Sequence, residues 1–81
     1  MNVTTRNALS QLVRAMKEAG LSYEDADDLL SLVYDLLQPM EMKIDEEVDK
    51  TKISRLTRYM DVLETFAGKL ENTFFPINLQ G

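Results

Sequence analysis

Cysteine, histidine and tryptophan are all missing from these 81 residues. Without thiols no disulfide can staple the chain, and without thiol or imidazole a structural zinc site has no plausible ligands. No motif assembles a catalytic or cofactor site, and no cofactor or metal is expected. Proline and glycine are scarce, at two and three residues, which favours long uninterrupted elements. No run approaches the ~18 consecutive apolar residues of a membrane-spanning helix. The first residues, Met1 to Arg6, lack a basic-then-apolar leader pattern. Asn2-Val3-Thr4 is therefore read as a chance sequon, and the expected compartment is the cytoplasm.

What is present is an ordinary apolar fraction, 44%, with a net charge of −5, the composition of one small globular domain. A chain of this length buries only about 60–65% of the surface exposed when unfolded. Below roughly 70–80 residues a lone core rarely supplies more than about 3–5 kcal/mol. With disulfides and zinc excluded, oligomerisation is the available supplement. Charge is arranged in blocks. Arg6, Arg14 and Lys17 stand against Glu18 in the first segment, residues 21–42 carry six carboxylates and no base, and Lys50, Lys52, Arg55 and Arg58 form a basic knot.

Three helices are predicted. The first, about 5–19, starts near Thr4 or Thr5 and places Leu9, Leu12, Val13 and Met16 on one stripe. Gly20 suits the left-handed position just past its end, with Leu21 folding back toward Met16. Ser22 is a good N-cap for a second helix, about 22–38, with Glu24 and Asp25 in its positive first turn. So short a link favours an antiparallel hairpin. In the second helix Ala26, Leu29, Leu30, Val33, Leu36 and Leu37 form a broad apolar face opposite Asp27, Asp28, Ser31 and Asp35; Leu32 and Tyr34 lie off it. Pro39 predicts a break, then a connector through Met40 and Met42. A third helix is expected from about 44 to 74, followed by an extended tail at 75–81.

The third helix carries the most regular pattern. Ile53, Leu56, Met60, Leu63, Ala67, Leu70 and Phe74 recur at alternating intervals of three and four, a coiled-coil seam. Tyr59, Val62 and Phe66 add a second stripe that favours a multi-helix bundle over a two-stranded zipper. Two details break the pattern at its start: Ile44 and Val48 are out of phase with the seam, and Glu46 and Asp49 occupy its extrapolated positions. A helix of ~30 residues would span about 45 Å, and the second, at ~17 residues, about 25 Å. From that mismatch follows the expectation that a second molecule covers part of the seam.

Functional alternatives are bounded by residue chemistry. Glu24-Asp25-Ala26-Asp27-Asp28 lacks the glycine-centred alternation of oxygens that a calcium loop needs and reads as a helix start. Acid–base catalysis by paired carboxylates needs a pocket that separates their pKa values, whereas these acids fall on solvent faces. Residues 17–26, Lys17-Glu18-Ala19-Gly20-Leu21-Ser22-Tyr23-Glu24-Asp25-Ala26, resemble the opening of phage-repressor-type helix-turn-helix domains. That family goes on to a polar recognition helix, whereas this chain continues with Leu29-Leu30-Ser31-Leu32-Val33-Tyr34-Asp35-Leu36-Leu37. The basic knot, spread round its helix, makes nucleic acid the lesser partner.

The fold expected is all-α: a short helical hairpin on a long C-terminal helix, completing a bundle as a homodimer. The function expected is a non-catalytic protein–protein interaction module, a regulator, adaptor or inhibitor. Its self-association or partner interface comprises Ile53, Leu56, Met60, Leu63, Phe66, Leu70 and Phe74, and its acidic surface Asp27, Asp28 and Asp35. The alternatives are a nucleic-acid-associated transcriptional regulator, or an acidic mimic that blocks a nucleic-acid-binding protein.

Overall fold

The structure, a computed structural model, describes residues 1–76. The expected tail conformation beyond Pro76 lies outside the described residues. Among the described residues three helices are present: α1 (Val3–Glu18), α2 (Tyr23–Glu46) and α3 (Lys50–Phe74). No strand occurs among the described residues.

Capping chemistry sets most boundaries. The Asn2 side chain accepts the Thr5 amide hydrogen at 2.8 Å, so α1 starts slightly earlier than Thr4 or Thr5 suggested; Asn is the stronger cap. At its end Gly20 takes φ +94°, and the Leu21 amide donates to the Met16 carbonyl at 3.0 Å, closing the helix as expected of a left-handed glycine. Ser22 then accepts the Asp25 amide hydrogen at 3.0 Å.

The predicted break at Pro39 is absent. α2 runs through it to Glu46, although proline forfeits one helical hydrogen bond. Pro39 and Asp35, whose carbonyl loses its partner, are both exposed, so water can solvate that oxygen. Leu37 is buried, and Met40 and Ile44 are half-buried, which holds the helix down on either side of the proline. The chain turns instead at Glu47–Asp49. The Glu47 carboxylate accepts the Val48 and Asp49 amide hydrogens, each at 3.2 Å, and Asp49 accepts that of Thr51 at 2.9 Å. The third helix accordingly begins at Lys50, not near residue 44.

This boundary removes the expected length mismatch: α2 has 24 residues and α3 has 25. The short element is α1, with 16 residues, roughly 24 Å against about 37 Å for α3. Both α1 and α2 pack on α3, and they make no close backbone approach to each other. The closest backbone packing is thus of α1 and of α2 on α3, while their side chains share one core. α1 runs parallel to α3, since the Met1 amine pairs with Asp61 at 3.2 Å and Lys17 Nζ donates to the Thr73 carbonyl at 3.0 Å. α2 runs antiparallel to α3, with the Tyr23 ring edge-on to Phe74 at 6.3 Å.

The core contains Val13, Ala26, Leu30, Val33, Leu37, Ala67, Leu70 and Phe74. All of these lie where three helices meet. Beyond the N-terminus of α1, α2 and α3 continue alone as a two-helix arm. The radius of gyration is 14.6 Å and the extents are 44 × 28 × 25 Å. A compact chain of this length would have a radius near 12 Å, so the arm makes the molecule elongated.

Candidate interaction surface

On the arm, residues 38–62, not one side chain is fully buried. Met40, Ile44, Ile53, Leu56 and Met60 are half-buried, and Met42 and Tyr59 are exposed. Val48, at the tip, is 92% exposed. A seam between only two helices leaves each apolar side chain open on at least one side, and full burial needs a third neighbour. α1 is that neighbour at the other end, and only Met1, ahead of it, reaches the arm, beside Ser54, Thr57, Met60 and Asp61.

The seam residues divide accordingly. Leu70 and Phe74, expected at an interface, are interior, because α1 and α2 close over that end of α3. Met60, Leu63 and Phe66 pack against the same core. Ile53 and Leu56 are left half-buried on the arm. The outer side of α2 exposes Leu32, at 55%, and also Leu36, at 47%, which the sequence places on the buried face. Leu32 had stood off the main stripe, and that was the available signal.

Asp27, Asp28 and Asp35 are all exposed. Asp28 and Asp35 are two turns apart and share a side of α2, whereas Asp27 lies on another. The basic knot is less scattered than expected: Lys50, Arg55 and Arg58 border one open concavity with the hydroxyls of Thr51 and Ser54. Lys52 and Arg55 meet Lys43, Glu47 and Leu56 in a separate cleft at the arm tip.

Polar links between helices lie at the three-helix end. Lys17 Nζ stands 5.9 Å above the Phe74 ring. The Tyr34 hydroxyl donates to the Glu71 carboxylate. That hydrogen bond, then desolvation and the carboxylate's charge, raises the Tyr34 pKa above the usual phenol value. Among the described residues no cluster of three potential ligands is placed to hold a metal. No described helix is long and apolar enough to cross a membrane. Comparison with protein-family profiles, curated proteins and solved structures finds no match to this chain.

Proposed function

We propose that this chain is a small non-catalytic protein–protein interaction module of the cytoplasm, acting as a regulator, adaptor or inhibitor and working as a homodimer. The observation that supports this reading is the arm: a two-helix seam whose apolar side chains find no third helix among the described residues. Burial of such surface contributes roughly 25 cal/mol per Å², so a second polypeptide laid over it gains stability that water cannot supply. Exposure of Asp27, Asp28 and Asp35 favours docking over acid–base chemistry. Sedimentation equilibrium tests the homodimer, with a mass rising from 9.3 kDa toward twice that value with concentration. A mass constant at one chain would exclude it.

A second reading has its own observation. Lys50, Arg55 and Arg58 with two hydroxyls on one face have the chemistry of phosphate contacts. On that reading the wild-type chain retards DNA or RNA in low salt, and Arg55→Glu with Arg58→Glu abolishes the shift. No retardation by the wild type dismisses it. The acidic-mimic variant requires that neutralising Asp27, Asp28 and Asp35 weaken binding to a nucleic-acid-binding partner.

A further inference from the structure

We infer that a nucleic-acid strand is gripped twice, at the start of α3 and again at the three-helix end, on the side of α1 and α3 turned away from α2. The proposal rests on the nucleic-acid reading and says how far that contact extends.

The net charge of −5 is unevenly divided. α2 carries eight carboxylates and one base, Lys43, whereas α1 and α3 together carry eight bases and four carboxylates. On α3, Lys50, Arg58 and Lys69 follow at intervals of eight and eleven. Both intervals are close to whole turns, so the three share one side of the helix. That side is opposite the seam of Ile53, Leu56 and Met60, which meets α2.

Two concavities lie along it. The first is lined by Lys50, Thr51, Ser54, Arg55 and Arg58, with no acid among them. The second, between α1 and α3, is lined by Ser10, Arg14, Lys17, Glu18, Lys69, Asn72 and Thr73. Three cations there outweigh the single acid. Lys17 Nζ donates to the Thr73 carbonyl at 3.0 Å, which fixes the ammonium in place and leaves two of its hydrogens free. Cations interleaved with hydroxyl and amide donors are the chemistry of phosphate contacts. Neither lining has an apolar side chain of the kind that a partner helix or a membrane surface would bury.

The nearby acids are accounted for. Glu47 and Asp49 hold the amides of the turn before α3, and Asp45 and Glu46 belong to α2. Between the two clusters Asp61 and Glu64 border a third concavity with Met1 and Arg58, and Asp61 is paired with the Met1 amine at 3.2 Å. The surface is therefore two grips with a neutral gap, not one continuous basic groove. Their centres are about 26 Å apart along α3, which a strand of roughly eight nucleotides covers at the stacked spacing of ~3.4 Å. Charge on the far side of the molecule is largely screened beyond about 8 Å at physiological salt.

The number of phosphates held is read from salt dependence. Fluorescence anisotropy of a labelled single strand of about 16 nucleotides gives the affinity at each salt concentration. Six contacts should cost roughly 300-fold in affinity between about 50 and 200 mM salt, and three at the arm tip alone about 20-fold. Arg14→Gln with Lys69→Gln should cut the wild-type loss to about 50-fold, with an unchanged circular dichroism spectrum. Arg14→Lys, which keeps the charge, and Lys43→Gln, on α2, should both leave it unaltered. No binding of the strand or of its duplex at low salt overturns this inference and the nucleic-acid reading together. Binding whose salt dependence ignores R14Q/K69Q, or falls equally in K43Q, overturns the second grip and leaves contact at the tip standing. Equal affinity for polyglutamate of the same charge assigns the surface to an acidic protein instead and overturns the proposal.

Discussion

At one end of the molecule α2 and α3 have α1 beside them; at the other they have only each other. The same two helices pass through both regions, yet every fully buried residue among those described lies at the three-helix end. What separates the regions is the number of neighbours. At the three-helix end Leu70 is fully enclosed by α1 and α2, whereas Leu56, two heptads earlier on the same seam, is half-open. The lesson is that a hydrophobic seam marks where burial is possible, and that a third element decides whether it is achieved. In this chain the three-helix end holds the fold together, and the arm buries none of its side chains fully.

The sharpest contrast is obtained by truncating one residue in each region. Leu70→Ala should cost about 3–5 kcal/mol, close to all that a core of this size supplies, so most of the variant should be unfolded in water. Ile53→Ala on the arm should cost about 1 kcal/mol, since a half-buried side chain loses less transfer energy and leaves no closed cavity. Urea denaturation followed by far-ultraviolet circular dichroism reads both, and equal losses would erase the distinction between the regions.

The proline in α2 makes the contrast constructive. Pro39→Ala should raise stability by about 1–3 kcal/mol, because alanine restores the bond to the Asp35 carbonyl and proline is costly within a helix. A destabilised P39A would mean that α2 is interrupted there after all. Gly20→Ala should cost about 1 kcal/mol. Its Cβ would meet nothing within 4 Å, so the whole loss comes from φ +94°; an unchanged midpoint would show that the turn adopts another conformation.

The smallest effect belongs to the Tyr34–Glu71 link. Tyr34→Phe should lose about 0.5 kcal/mol at neutral pH, an exposed bond being heavily screened. The raised Tyr34 pKa gives the pH dependence its sign. Stability from a proton held more tightly when folded is complete below the unfolded phenol value near 10. It fades as pH rises through the folded value. Wild type and Y34F should therefore converge in alkaline solution; a gap that widens there contradicts the bond.

Much of this was legible from residues whose physics is local. Gly20, Leu21 and Ser22 mark the α1–α2 boundary because a left-handed glycine and a serine cap act within a few residues. Ala67, Leu70 and Phe74, and Leu30, Val33 and Leu37, announce buried faces by spacing alone. The α2–α3 boundary was misplaced because proline's cost was weighed without its surroundings, and exposure of Pro39 and Asp35 lowers that cost. The corrective signal was in hand: Ile44 falls out of phase with the α3 seam because it belongs to α2. Which seam residues would be covered was not legible. Enclosure of Leu70 and Phe74 depends on α1 reaching α3 and stopping near Asp61, a tertiary fact no helical period encodes.

Native-state amide hydrogen exchange at two chain concentrations compares the two regions within one molecule. At both concentrations the amides of Leu30, Val33, Ala67 and Leu70 should exchange slowly, through openings close to global unfolding. In dilute solution those of Met40, Met42, Ile53 and Leu56 should exchange much faster. At high concentration those arm amides should gain protection. Uniform protection along α2 and α3, unchanged by dilution, would contradict the account: the arm would then be as well sheltered as the core, with no surface left for a second copy to cover.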